Sequence, residues 1–197
     1  MKNKKHYNVD ESTGIWSGDQ TREDIYGHTE DRILMNAIVK IIKQKKCSSI
    51  YDFGCGMGGY TKFFKESGLN AEGYDGNPDT ERMTSGLGKC LDLSKPFNLG
   101  QKFDYVMSLE VGEHIPKQYE SQFIKNIHNH NSKGVIVSWA ILNPFQKGIG
   151  HINNQDNDYI IKLFKKLGYK QDLESQSYLR ENCSKAWFPA SLMTFER

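Results

Sequence analysis

Long apolar runs are missing from this sequence. No stretch of its 197 residues approaches the roughly 18 apolar residues that span a bilayer, so insertion into a membrane is not expected. The N-terminus also lacks the apolar core of a secretory signal. Cysteine is sparse: Cys47, Cys55, Cys90 and Cys183 are scattered, with no CxxC pair and no matching histidine spacing. That argues against a disulfide framework and a structural zinc site. An excess of charge is lacking too. With 26 basic and 24 acidic side chains and a net charge of +2, neither a nucleic-acid partner nor a membrane surface is implied. No internal repeat and no low-complexity linker divides the chain. These absences predict one domain over residues 1–197, soluble, reduced and cytoplasmic. The length suits a core that folds without staples.

The remaining pattern is alternation. Residues 1–28 are polar and irregular but carry Trp16 and Tyr26, which suits a lid-like segment packing over something. Apolar spacing predicts a helix from about Glu30 to Lys46, with its lysine-rich end matched to the negative end of the helix dipole. SSIYDF reads as a buried strand that runs into a glycine loop, and YTKFFKES as a helix stopped by Gly68. LNAEGYDG, KCLDL, FDYVMSLE and GVIVSWA read as further strands. Asn77, Pro78 and Asp79 read as a helix start. Helices are expected over Tyr119 to His128 and along NNQDNDYIIKLFKKLGY, the latter ended by Gly168. Two closing runs, Leu173 to Leu179 and Trp187 to Phe195, are expected to pair as a hairpin. Strands alternating with helices predict an α/β fold with a mainly parallel sheet.

Gly54, Gly56 and Gly59 in DFGCGMGG let the backbone turn sharply and approach a ligand, while the next helix offers unpaired N–H groups. Such a loop serves several nucleotide-like ligands. Asp52, two residues before Gly54, favours S-adenosylmethionine over a nicotinamide cofactor, because a carboxylate there receives an ammonium group and repels a pyrophosphate. Asp75, at the end of the next strand, suits the two ribose hydroxyls, a feature shared with NAD proteins. Leu91, Asp92 and Leu93 follow the third of these strands, where a carboxylate accepts from the adenine amino group and leucines cover the ring.

The ordered run DFGCGMGG, GYDGN, LDL and FDYVMSLEVGEHI resembles the successive motifs of class I S-adenosylmethionine-dependent methyltransferases, over about residues 30 to 195. A weaker likeness, in SWAILNPFQKGIGHINNQ, is to small sugar- and glycan-associated O-methyltransferases. The resemblance implies a Rossmann-like sheet of seven strands, six parallel and one antiparallel, with helices on both faces. It implies that Asp52, Gly54, Cys55 and Gly56 hold the methionine end of the cofactor. Asp75, Gly76 and Asn77 then hold the ribose, and Leu91, Asp92 and Leu93 the adenine. Ser108 and Leu109 lie along the cofactor, or else simply pack the strand end.

Methyl transfer to an alcohol needs alignment and benefits from a general base. Of the six histidines, His114, His151 and His28 fall where the fold gathers a site; His6, His128 and His130 read as solvated. His151 in GIGHINNQ is the favoured base, with His114 or Glu110 orienting the acceptor. Asn153, Asn154 and Gln155 supply donors and acceptors for a hydroxylated substrate, and Trp139 is a platform for a sugar face or a buried packing residue. The alternative for GHINNQ is a loop that caps the next helix, and for Glu113 with His114 a helix start before Pro116.

SLEV stands where methyltransferases of exocyclic amines carry an Asn/Asp-Pro-Pro-aromatic motif, and Glu110 and Trp139 do not form the tetrad of RNA ribose methyltransferases. After the fifth strand Asn143 is present and no Asp precedes Asp156, so no metal is expected. The acceptor expected is a sugar or glycan hydroxyl, then a phenolic or quinone-type metabolite; a non-catalytic S-adenosylmethionine binder is the alternative of a different class. The sequence leaves the oligomeric state open.

Overall fold

β-Branched and aromatic residues in short runs, each followed by a turn and an amphipathic segment, build a sheet with helices on both faces. The structure, a computed structural model, describes residues 7–10, 12–18, 30–143 and 146–197. An N-terminal hairpin comes first, β1 (Tyr7–Asp10) and β2 (Ile15–Gly18), paired antiparallel. Helix α1 (Arg32–Gln44) follows, and then β3 (Ser49–Phe53), α2 (Gly59–Glu66), β4 (Asn70–Asp75), the short α3 (Thr80–Met83), β5 (Gly88–Cys90) and β6 (Phe103–Ser108). After a 3₁₀ turn at Gly112–His114 come α4 (Glu120–Asn129), β7 (Asn131–Val137), α5 (Asn157–Lys166), β8 (Lys170–Gln171), α6 (Leu173–Glu181), α7 (Phe188–Ser191) and β9 (Met193–Glu196).

The main sheet has seven strands in the order β5-β4-β3-β6-β7-β9-β8. The ladders from β5 to β7 are parallel and β9 runs antiparallel to both neighbours. Side chains alternate across each central strand. Tyr51, Phe53, Val106, Val135 and Val137 pack on one face with Phe123 and Ile127 of α4 and Ile160 and Phe164 of α5. Ile50, Tyr105, Met107 and Ile136 pack on the other with Leu34 and Ile38 of α1, Phe64 of α2, Leu179 of α6 and Phe188 of α7. Chain order goes outward from β3 through β4 to β5, then returns to β6 on the opposite side of β3. The reversal leaves a crevice at the carboxyl ends of β3 and β6, where open α/β sheets bind ligands.

Four expectations change. The stretch Leu173 to Leu179 is helix, not strand. Its Leu173, Ser175, Ser177, Leu179 alternation mimics a strand, but the Asp172 side chain caps the helix by accepting from Ser175 N at 3.1 Å. In the run Trp187 to Phe195, a helical turn with Pro189 in its first turn occupies the first half, and only Met193–Glu196 is strand. The antiparallel hairpin does form, but its other strand is Lys170–Gln171. Asn77 and Pro78 precede their helix, since α3 begins at Thr80, and the Asn77 side chain instead accepts from Asp79 N at 2.9 Å. The N-terminal segment is not irregular throughout: a hairpin occupies part of it. Tyr26, His28 and His6 lie outside the described residues. Among the described residues no helix is long and apolar enough to cross a membrane.

Candidate active site

β3 ends in the glycine loop because Gly54 (φ +90°), Gly56 (φ +51°) and Gly58 (φ +75°) adopt left-handed conformations that cost other residues steric strain. Gly54 has a second requirement. A Cβ there would lie 2.1 Å from Cγ2 of Val111, so only glycine lets the loop after β3 meet the loop after β6. Ser108 ties the same two strand ends by donating its hydroxyl to the Phe53 carbonyl at 2.7 Å.

A cavity of about 560 Å³ opens at this crevice, within the usual range for small-molecule sites. Its lining includes Gly54, Asp75, Gly76, Asp92 and Leu93. Asp75 is held by two main-chain donors, Gly56 N and Asn77 N, each at 2.9 Å. Each oxygen retains acceptor capacity, and Asp75 lines the cavity beside Gly76, on which the hairpin packs so closely that a Cβ would sit 3.2 Å from Ile15. Asp92 accepts from Ser94 N and Ser94 Oγ, at 2.9 and 2.6 Å. A fixed carboxylate beside a glycine cradle, then a second one flanked by a leucine, fits a ribose and an adenine. These residues fit S-adenosylmethionine.

The same cavity is lined by Glu110, His114 and His151, the three side chains expected to act on the acceptor. Glu110 sits just past β6 in a left-handed conformation (φ +54°), uncommon for a side-chain-bearing residue, with its N–H donating to Ser138 Oγ at 2.8 Å. Gly112 lets the next turn press on buried Trp139; a Cβ would lie 2.1 Å from the indole ring. The Glu113 carbonyl then accepts from Ile152 N and Asn153 N, both at 2.9 Å. His114 Nδ1 lies 3.0 Å from the Gly150 carbonyl, and these bonds stitch two loops together. The His114 and His151 rings meet edge to face, 4.8 Å apart. His151 Nδ1 lies 2.9 Å from the Gln146 carbonyl. A carbonyl can only accept, so both neutral rings carry their proton on Nδ1 and their lone pair on Nε2. Burial pushes the His151 pKa down, only partly opposed by its bond to Gln146.

Several predicted cofactor residues lie behind the wall. Asp52 is buried and accepts from Thr61 Oγ1 at 2.8 Å; it is not on the cavity lining. Desolvation, followed by the smaller influence of Asp75, raises its pKa to about 7 despite the Thr61 bond. Its carboxyl group thus braces the turn from behind the loop, off the cavity lining. Cys55, Gly56, Asn77, Leu91 and Ser108 likewise support the lining without joining it. Cys55 packs under Gly73 and Gly88, its thiol pushed up by burial and then by Asp52 and Asp75. Trp139 is fully buried and donates to the Asn153 carbonyl at 2.7 Å, so it offers no face to a sugar.

The cavity also uses residues that the motifs did not mark. Thr13, Gly14, Ile15 and Trp16 of the hairpin roof it, and Trp187 closes a side. Trp16 in an otherwise polar segment was the available signal. Glu113 is neither exposed nor a helix cap: it is fully buried, neither carboxylate oxygen has a hydrogen-bond partner, and its pKa is pushed up by burial and then by Glu110.

A methyltransferase domain family matches residues 26–174, more than half of the chain. The sequence is 26% identical to the chloroplastic tocopherol O-methyltransferase of Arabidopsis thaliana over 167 residues, covering 66% of this chain and 47% of that protein. The chain thus spans about half the length of the curated relatives it matches. Among solved structures it is similar to magnesium protoporphyrin IX methyltransferase of Synechocystis PCC 6803, with TM-score 0.61, 16% identity and 88% of each chain covered. It is also similar to an S-adenosylmethionine-dependent methyltransferase of Clostridium acetobutylicum, with TM-score 0.65, 12% identity, and 85% of this chain and 91% of that one covered. At these identities the structures speak to the fold, which agrees with the sheet order described above. The chain belongs to the methyltransferase domain family, within the class I methyltransferases whose cofactor is S-adenosylmethionine.

Proposed function

We propose that the protein methylates a hydroxyl group of a small, largely apolar acceptor of the phenol or quinol type. One observation carries this reading: a glycine-and-carboxylate cradle and the side chains of Glu110, His114 and His151 line one and the same cavity, with Ile15, Leu109, Val111 and Ile141 along its wall. Asp75 would hold the ribose and Asp92 the adenine of the cofactor. When bound, S-adenosylmethionine would supply an electrophilic methyl group on a cationic sulfur that can leave with the bonding electron pair. The chain's own work is then alignment, which is worth up to roughly 7–11 kcal/mol in well-oriented pairs, and acceptance of the hydroxyl proton at the Glu110, His114 and His151 cluster.

The apolar acceptor is preferred to the sugar that the loop composition first suggests. Asn153, Asn154 and Gln155 spend their amide groups internally, on Glu120, on the Ile141 and Gln146 carbonyls, and on Asn153 itself. Leu142, Ile149 and Ile152, in contrast, are exposed in the same loop region. Similarity to tocopherol O-methyltransferases supports transfer to oxygen. Product analysis by mass spectrometry with phenol, quinol and sugar panels separates the two acceptors. A non-catalytic role would give cofactor binding with no methylated product from any panel. Replacing His151 with alanine should leave S-adenosylmethionine affinity within about twofold and lower turnover at least tenfold, a loss within the range of acid–base contributions. Unchanged turnover would remove His151 from the reaction.

A further inference from the structure

We propose that Glu113, His114 and His151 bind a divalent transition-metal cation at the cavity wall, with Glu110 beside it. Among the described residues, a carboxylate oxygen of Glu113 and one ring nitrogen from each histidine lie within 4.8 Å of one another, a separation that a shared ion can bridge with small side-chain movements. Two features of the cluster point to a ligand. Glu113 is fully buried, no hydrogen-bond donor reaches either of its oxygens, and the Glu110 carboxyl lies against it; two buried carboxyl groups side by side are held by a shared proton or by a cation. Each imidazole is also oriented by an Nδ1–H bond to a backbone carbonyl, Gly150 for His114 and Gln146 for His151, the outer-shell arrangement that fixes a ligating histidine with its lone pair on Nε2.

Two imidazoles with one carboxylate favour ions such as Mn²⁺, Co²⁺ or Zn²⁺ over Mg²⁺, which prefers an all-oxygen shell. Three protein ligands leave positions open, and His114, His151 and Glu110 face the cavity where the acceptor would sit. A hydroxyl bound at an open position is acidified by the cation, so the cluster would act through the ion, with His151 a ligand and Glu110 the nearest further carboxylate. That use of the site rests on the proposed methyl transfer; the site itself rests on geometry alone.

The test is cation binding by the full chain after treatment with a strong chelator. Calorimetric titration with Mn²⁺ and, separately, the visible absorption of bound Co²⁺ should report one site per chain. Glu113→Gln and His151→Ala should each weaken binding at least tenfold, while His128→Ala, remote from the cluster, should not. Added Mn²⁺ should raise the melting temperature of the parent protein and not that of Glu113→Gln, which also verifies that the variant is folded. Absence of saturable binding in the parent chain, or equal binding in both variants, would overturn the proposal. S-adenosylmethionine titration run in parallel keeps the two readings apart. A chain that binds the cofactor but no cation loses only the metal site, and one that binds the cation but no cofactor loses only the methyl-transfer reading.

Discussion

Asp52 sits under the glycine loop with the Thr61 hydroxyl at 2.8 Å and a pKa near 7. An unfolded aspartate titrates at about 3.9, so the folded state holds this proton more tightly. Stability from that difference is fully present below about pH 4 and is lost as pH rises towards 7, at up to about 1.4 kcal/mol per pH unit. Asp52→Asn keeps an acceptor for Thr61 and removes the titration. Denaturation at pH 5 and pH 8 should therefore show the variant gaining on the parent at the higher pH, with cofactor affinity nearly unchanged because Asp52 is off the cavity wall. A variant that tracks the parent at both values would show that the carboxyl does not titrate in this window. Asp75 is the opposite case. Asp75→Ala should weaken S-adenosylmethionine binding at least tenfold by titration, since it removes both the ribose acceptor and the two main-chain bonds that shape the loop. At this scale the sequence marked Asp52, Asp75 and Asp92 alike, and the structure places Asp75 and Asp92 on the cavity lining and Asp52 behind it. The sequence could not distinguish a carboxylate facing the cavity from one facing Thr61, because that depends on which way the last residues of β3 and the loop point.

Among the elements, those carrying a strong apolar period were legible: α1, α2, α4, α5 and the strands that flank the glycine loop match their expected positions to within a few residues. The misses share a physical cause. Around Leu173–Glu181 the sequence is polar and only Ser175, Gln176 and Leu179 are buried, so a two-residue alternation and a helical period compete on few apolar positions, and a side-chain cap decides the outcome. β8 is only two residues long and exists because β9 offers it an edge. Gly54 joins two elements and can be tested as such. Gly54→Ala combines a left-handed φ with a Cβ 2.1 Å from Val111, so the loops after β3 and β6 must separate. Overpacking and backbone strain of this kind each cost about 1–3 kcal/mol. The expected result is a lower melting temperature together with at least a tenfold loss of cofactor affinity, and a variant that binds normally would show that the loop relaxes without opening the crevice.

On the scale of the whole molecule, the sheet supplies the floor of the cavity and the N-terminal hairpin supplies part of its roof. A two-stranded ribbon is marginal alone in water, so this hairpin depends on what lies beneath it. Gly14 packs so closely on the 3₁₀ turn that a Cβ would meet the His114 carbonyl oxygen at 1.9 Å. Trp16 meets the His114 ring edge to face at 5.6 Å, and Val9 lies over Gly150. The roof thus touches the two loops that bring His114 and His151 together and, through Ile15 and Gly18, the turn after β4, which was invisible in sequence because the contacts join residues about sixty to a hundred and forty positions apart. Contacts that fall mainly on the loops around the site couple the hairpin to ligand occupancy more than to global stability. Hydrogen exchange in residues 7–18 should slow when S-adenosylmethionine binds, while exchange in β3 and β6 changes little. Trp16→Ala should shift the melting temperature of the ligand-free protein by no more than a few degrees and raise the acceptor KM several-fold. If the substitution instead unfolded the sheet, or left both exchange and KM as they were, the hairpin would be a structural strand pair with no part in covering the acceptor.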